Sequence, residues 1–233
     1  MRILVKYASR SRPARFLEGL DSILDLAANT SKIKVLAILD KDDGLADEYR
    51  AGLDNIKYGD VDYDFGYSKS KIDAINRVTH EHLKWDILVN FSDDMRFTVY
   101  GWDELIREGF RCNGPDKFLH YPDSTAKNML ATMSIMDRTY FERDGYIYHP
   151  AYKSLWCDNH AQDVAKLRGC YVYMGTQIFD HFHPAYGMAQ WDALYQLGQS
   201  FWNEDEIVYR YFQSHNFFLD ANGKMEMGEG LYR

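Results

Sequence analysis

The sequence is poor in cysteine: Cys112, Cys157 and Cys170 are the three in 233 residues, an odd number with no C-x-x-C pair. That excludes a disulfide framework, offers no zinc-knuckle spacing, and suits a reducing compartment. Long apolar runs are also missing. Ile3-Leu4-Val5 before Lys6 is too short for a signal-peptide core, and nothing later approaches the roughly 18 apolar residues of a membrane span. A cytoplasmic chain with no transmembrane segment is the expectation. Positive charge is not in excess either, since 27 Lys and Arg against 35 Asp and Glu leave a net charge of -8. A broad electrostatic grip on nucleic acid is therefore disfavoured, while a compact anionic ligand stays compatible with the composition. Glycine-rich phosphate loops are absent: there is no G-x-x-x-x-G-K-[ST] and no strand-linked G-x-G-x-x-G, which argues against kinases, P-loop ATPases and dinucleotide oxidoreductases. No internal repeat or low-complexity linker divides the chain, so a flexible two-domain arrangement is disfavoured.

What is present is material for a packed core, with 46% hydrophobic and 15% aromatic residues. Arg2 to Tyr7 reads as a buried strand, followed by the punctuation Ser9-Arg10-Ser11-Arg12-Pro13 and a helix carrying Phe16, Leu17, Leu20, Ile23, Leu24 and Ala27 at helical spacing. Ile33 to Leu39 is a near-continuous apolar run, as in a strand covered on both faces, and it stops at Asp40. A short helix from Leu45 to Gly52, a weaker strand from Ile56 to Tyr63, a helix from Ser68 to His82 with Ile72, Ile75 and Val78 inward, and a strand from Trp85 to Phe91 complete this half. The alternation predicts a Rossmann-like parallel sheet whose ligands lie at the carboxyl ends of strands, where Ser9, Asp40 and Asp93 fall.

Beyond Gly101 the pattern loosens towards a mixed sheet: helix Trp102 to Arg111, strands Lys117 to Tyr121 and Leu130 to Met136, and a helical segment Asp137 to Arg143. Helix Asn159 to Leu167, strand Cys170 to Gly175 and a helical region Asp192 to His215 follow, with a hairpin turn at Asn222-Gly223.

The sharpest chemical signal is Asn90-Phe91-Ser92-Asp93-Asp94-Met95, two adjacent carboxylates directly after a buried strand. Such a pair suits a hard divalent cation shared with phosphate oxygens. Helix capping by Ser92 or Asp93 is the plainer alternative, but Arg96-Phe97-Thr98-Val99-Tyr100 is poor helix sequence. Asp40 reads equally as a turn residue or a ligand contact. Among the cations, Arg12 and Lys71 are the choices for neutralising a diphosphate over Arg10, Lys69 and Arg77. His181 and His183 follow Asp180 and, two apart in extended chain, face one side. Manganese accepts imidazole beside carboxylate oxygens, and packing against Pro184 is the alternative role.

In order and placement, Lys6 to Pro13, Leu39-Asp40, Ser68 to Arg77, Ser92-Asp93-Asp94, Trp156-Cys157-Asp158 and His181-Phe182-His183-Pro184 resemble a glycosyltransferase of the GT-A fold, closest to family 2. The resemblance implies a GT-A Rossmann-like three-layer α/β fold with a central mixed, mostly parallel sheet. It implies one domain over 1–233, made of a nucleotide-sugar-binding half (1–95), an acceptor-side half (96–190) and a C-terminal helical region and tail (191–233). It implies a hexosyltransferase-type enzyme taking a nucleoside-diphosphate sugar such as a UDP-sugar, with Mn2+ or Mg2+, to an acceptor hydroxyl. Tyr7, Ser9 and Asp40 would contact the nucleoside, Asp93 the ribose and Asp94 the metal, with a late histidine, His181 or His183, completing the metal site. Met95 stands where many relatives carry another acid, so the D-x-D equivalent is incomplete.

Inversion at the transferred sugar requires a general base, and Asp158 is the candidate. Asn159 and Gln162 have capping-box spacing, which leaves Asp158 outside the cap and free to point into a cleft. Were Asp158 the cap itself, that assignment would fail. Two other readings remain: a sugar-nucleotide nucleotidyltransferase, disfavoured by the glycine-poor Ser9-Arg10-Ser11-Arg12 loop, and a non-catalytic nucleotide- or carbohydrate-binding module on the same fold.

Overall fold

A computed structural model describes residues 1–77 and 83–225. In its first half, β1 (Ile3–Ser9), α1 (Pro13–Asp25), β2 (Ile33–Asp40), α2 (Ala46–Asp54), β3 (Asp60–Gly66), α3 (Lys71–Asn76) and β4 (Ile87–Ser92) alternate. The short β5 (Met95–Phe97) and α4 (Trp102–Asn113) follow, then β6 (Phe118–His120), β7 (Ile135–Asp137), α5 (Arg138–Phe141), α6 (Cys157–Leu167), β8 (Tyr171–Tyr173) and β9 (Phe179–His181). The chain closes with α7 (Ala193–Ser200) and α8 (Trp202–Ser214). Seven strands form one sheet in the order β3-β2-β1-β4-β7-β6-β8, and β5 and β9 form a separate antiparallel pair. Within the large sheet β7 is the strand that runs against the others. Among the described residues no helix is long and apolar enough to cross a membrane.

The apolar runs explain the layering. β1 and β2 are buried on both faces, so each feeds two hydrophobic clusters. Ile3, Val5, Val35, Leu39 and Val89 pack against α1, α2 and α4, while Leu4, Leu36, Ile38 and Leu88 pack towards α3, α6 and α8. Pro13 opens α1, where its missing N–H would have no helical partner in any case. Gly19 lets this helix settle on the sheet, since a Cβ there would overlap the Tyr7 hydroxyl.

The structure shifts several boundaries. The strand expected at Ile56 to Tyr63 forms instead at Asp60–Gly66, because Gly59 turns the chain at positive φ and Lys34 of β2 pairs with Asp60 and Asp62, fixing the register. These charges also protect an edge strand from pairing with other chains. The strand expected at Leu130 to Met136 forms at Ile135–Asp137, the residues before it belonging to a loop organised by Asp123. The helix expected from Ser68 to His82 is seen as Lys71–Asn76, and Val78 to His82 lie outside the described residues. The Asp192 to His215 region divides at Phe201 into α7 and α8. At Asn222-Gly223 the chain turns and bridges Leu219 to Met225.

One buried charge stands out. Lys6 of β1 is 2% exposed and its Nζ donates to the Ile75 carbonyl. Burial, helped by nearby Arg77, pulls its pKa down to about 7. At pH 7 and below, folding must bury an ammonium. As the pH climbs from 7 towards 10.5 the folded state already holds a neutral amine while the unfolded chain still binds the proton, so stability rises across that window. Urea unfolding of the wild type and of Lys6→Met at both ends of the window should therefore diverge. The wild type is expected to gain as much as roughly 4–5 kcal/mol on the variant between neutral and alkaline pH, and parallel pH profiles would show that folding does not lower the Lys6 pKa.

Candidate functional site

The carboxyl ends of β1, β2 and β4 lie side by side because all three strands run parallel in register, Ser9 beside Leu39 and Ala8 beside Ser92. This brings Ser9, Asp40 and the Asp93-Asp94 pair to one edge. Both carboxyls of the pair are buried, at 4% and 5% exposure, so each needs positive charge or donors nearby. Asp93 receives Ser9 Oγ at 2.7 Å and Arg12 Nη1 at 2.9 Å. Arg12 also forks onto Asp192 at 2.8 and 2.7 Å and stacks 3.8 Å over the Tyr195 ring. Asp192 in turn caps α7 by accepting Tyr195 N–H. One guanidinium therefore joins β4, α1 and α7.

The other carboxyl is served from the small sheet. In the β5–β9 ladder Met95 faces His181, and Phe182 N–H extends it by donating to the Asp94 carbonyl at 2.7 Å. His181 Nε2 then stands 3.5 Å from Asp94 Oδ2, with Tyr195 Oη 3.2 Å from the same oxygen. Asp94 Oδ1 is buried with no hydrogen-bond partner among the described residues. Burial pushes both carboxyls up. For Asp94 the charge of His181 more than reverses this and holds it well below the usual carboxylate range. For Asp93, burial and the adjacent Asp94 outweigh Arg12 and the net movement is upward, as for two like charges that share one site. His181, which burial alone would push down, is lifted to about 9 by Asp94 and Asp123 on its two sides. His183, with its ring 5.6 Å from that of His181, is pulled down to about 4 by burial.

Asp158 sits in the first turn of α6, half-buried, accepting its neighbour Asn159 N–H. The N-cap stands three residues earlier than the capping-box spacing implied. Trp156 is the N-cap, and Gln162 is occupied instead with Ala131 N–H and the Met129 carbonyl. Asp158 is thus neither the cap nor outside it. Burial raises its pKa, against the opposing pull of backbone N–H and of Lys71. Asp163 points elsewhere, accepting the Tyr209 hydroxyl. The loop leading to α6 is pinned from behind. Asp205 of α8, 0% exposed, accepts the backbone N–H groups of Lys153, Ser154 and Leu155, and Trp156 holds a left-handed φ of 61° while stacked on Tyr209. An aromatic residue in that conformation is strained by about 1–3 kcal/mol and persists only where packing imposes it.

The sequence-derived set divides accordingly. Ser9, Arg12, Asp93, Asp94 and His181 form one connected cluster, with His183 beside it. Lys71, exposed at the start of α3, acts electrostatically on Asp94, Asp158 and His183, and makes no ion pair among the described residues. Arg12 is committed to protein carboxylates rather than free for phosphate. Asp40 is similarly occupied by Arg10, Ser68 and Arg77. Tyr7 is fully buried, its hydroxyl donating to the Phe16 carbonyl, so it underlies the site and faces no cleft. Sequence reasoning missed Asp123, Asp192, Tyr195 and Asp205. Of these Asp205 carried a readable signal, an acid in the same helical stripe as Trp202, Tyr209 and Phe212.

Whether this set suits a divalent cation turns on Asp94. Its orphaned Oδ1 and the adjacent imidazole nitrogen are the right donors for manganese, and an electropositive ligand would remove the penalty of leaving a buried oxygen unpaired. Among the described residues no group of three or more His, Cys, Asp or Glu side chains is arranged to hold an ion, so the protein alone does not complete a coordination sphere.

Solved structures share this architecture. The mannosyltransferase PcManGT from Pyrobaculum calidifontis, in complex with GDP-Man and Mn2+, matches with a TM-score of 0.65 at 14% identity, over 80% of this chain and 58% of its own. Residues 1–349 of S. aureus TarS in complex with UDP-GlcNAc match with a TM-score of 0.64 at 10% identity, over 84% of this chain and 61% of that one. A cytidylyltransferase from Leptospira borgpetersenii matches at 0.50 and 15% identity, over 76% of each chain. No protein-family model and no curated protein sequence matches. At these identities the likeness is one of fold, and the fold is of the GT-A type. The chain spans about three fifths of the length of the first two structures.

The Arg12 clamp has a measurable consequence. Arg12→Met strands the buried Asp93 charge and releases Asp192, so urea unfolding is expected to show a loss of roughly 3–5 kcal/mol. Adding Asp93→Asn should recover part of it, and a neutral single variant would mean that the clamp is not a structural element.

Proposed function

We propose that the protein is a glycosyltransferase that moves a sugar from a nucleoside-diphosphate donor to an acceptor hydroxyl, with Mn2+ or Mg2+ at the diphosphate and inversion at the anomeric carbon. The observation that carries the reading is the meeting of a buried acid pair, with its unpartnered Asp94 oxygen, and His181 at the carboxyl edge of a parallel sheet. The fold shared with two structures that hold nucleotide sugars, one of them with Mn2+, supports it.

Asp94 and His181 would hold the cation, with His183 beside them and phosphate oxygens filling the remaining positions. When bound, the cation supplies Lewis-acid stabilisation of the departing diphosphate. Lys71 contributes the chain's own positive charge to that diphosphate. Asp93, held rigid by Ser9 and Arg12, keeps lone pairs for ribose hydroxyls, while Asp40 fixes the loops after β1 and β3 through Arg10 and Ser68.

In the transfer step the acceptor oxygen attacks the anomeric carbon and its proton passes to the Asp158 carboxylate. The bond from that carbon to the diphosphate oxygen breaks, and its electron pair leaves with the nucleoside diphosphate. Burial makes Asp158 a better base than a free carboxylate, and Lys71 opposes that rise, favouring the ionised form that the step requires.

A thermal-shift screen of nucleoside diphosphates and nucleotide sugars with Mn2+ identifies the donor, since a ligand of the native state raises Tm. Calorimetry with UDP and with GDP should show binding that requires Mn2+ or Mg2+ in the wild type. Asp94→Ala is expected to lose that metal dependence, and undiminished metal-dependent binding would remove Asp94 from the site. Asp158→Asn is expected to bind donor normally while transfer falls roughly 10²–10⁴-fold, whereas unchanged turnover would place the base elsewhere.

A further inference from the structure

Behind His181 stands a second carboxylate that the transfer step does not use. Asp123, 1% exposed, lies in the loop between β6 and β7. Its Oδ1 accepts the backbone N–H groups of Thr125, Ala126 and Lys127 at 2.8, 2.6 and 3.1 Å. Its Oδ2 accepts the Thr132 hydroxyl at 2.7 Å and faces His181 Nδ1 at 3.2 Å. The same loop takes His181 by its backbone as well, His181 N–H donating to Ser124 Oγ at 3.1 Å. The ring is thus fixed at both ends of its side chain, with one nitrogen turned to Asp123 and the other to Asp94.

A carboxylate so fully supplied with donors acts on the ring only as an acceptor, so the nitrogen turned to it, Nδ1, is the one that carries hydrogen when the ring is neutral and a cation stands at Nε2. We propose that Asp123 is a positioning residue for His181: it accepts the hydrogen bond that Nδ1–H donates, so that the Nε2 lone pair faces Asp94 and is available to a divalent cation. The assignment rests on the metal reading of Asp94 and His181 and adds to it the reason that His181, rather than His183, is the imidazole ligand. His183 Nδ1 accepts the Ala185 N–H and has no carboxylate behind it among the described residues. Carboxylates in this position on metal-ligating histidines contribute about 10–100-fold in metal affinity.

The test titrates Mn2+ in the presence of UDP or GDP and follows free Mn2+ by electron paramagnetic resonance, which requires no turnover. The wild type is expected to bind. Asp123→Asn, which presents an amide N–H to the ring and forces the other tautomer, is expected to bind Mn2+ about 10–100-fold more weakly. Thr125→Val, which removes the Thr125 hydroxyl that donates to the same carboxylate at 3.1 Å, is expected to bind like the wild type. A wild type that binds no Mn2+ overturns the metal reading and this proposal together. Equal affinity of wild type and Asp123→Asn overturns this proposal alone, as does an equal loss in Thr125→Val, which marks a loop effect. A measurement on the unaltered chain guards against a misfolded variant. In histidine-15N spectra with diamagnetic Cd2+ in place of Mn2+, assigned through His181→Gln, His181 should carry its hydrogen on Nδ1 and coordinate through Nε2, and the reverse pattern overturns the proposal.

Discussion

Two carboxylates side by side at the end of a buried strand repel each other and lose solvation, so neither persists without positive charge on its outer flank. Here Arg12 stands on the Asp93 flank and His181 on the Asp94 flank. Much of the surrounding structure follows from placing those two cations. Arg12 reaches Asp93 from the start of α1, and its remaining fork, taken by Asp192, draws α7 across the top of the site. His181 arrives on β9, which exists as a strand only because β5, directly after the acid pair, offers it a partner.

The compensation is uneven, and the unevenness is chemically useful. Asp93 receives a guanidinium on one oxygen and a hydroxyl on the other, whereas Asp94 keeps an oxygen without a partner among the described residues. A permanent charge such as Arg12 cannot leave its carboxylate. An imidazolium can give up its proton and offer a lone pair in the same place, so the His181 flank is the one able to exchange a proton for another electropositive ligand. The rigid side thus anchors the pair, and in the proposed reading the labile side faces the cation.

On the opposite bank the design relies on supports set behind the site. Asp205 gathers three backbone N–H groups of the loop before α6, and α8 packs against Trp156 in its left-handed conformation, so that Asp158 enters a helix whose starting point is imposed from outside. Asp123 plays the corresponding part for His181, closing its own loop with three N–H groups before it meets the ring. In both cases a buried carboxylate trades its desolvation cost for a fixed backbone. The C-terminal helices are therefore part of the site's frame, although none of the residues singled out in the sequence for chemistry lies on them.

The parallel half of the sheet was legible in the sequence because its signals are local. Apolar runs mark β1, β2 and β4, helical spacing marks α1, and Asp40 and Asp93-Asp94 fall at the ends of β2 and β4. The acid pair announced itself for the same reason, since adjacent charges directly after a buried strand demand a compensating cation wherever the chain folds. β5 and β9 were invisible, because three residues are too few to show a period and their pairing joins distant parts of the chain. The start of α6 was misplaced because Trp156 caps it in a conformation that only packing against α8 enforces. That Tyr7 lies beneath the cluster, that Arg12 is spent on Asp93 and Asp192, and that Asp123 backs His181 were likewise decided by tertiary contacts. Sequence by itself determined which residue types stand at strand ends. Which of them meet, and which are consumed in holding the others, depends on long-range packing, and that leaves no periodic trace along the chain.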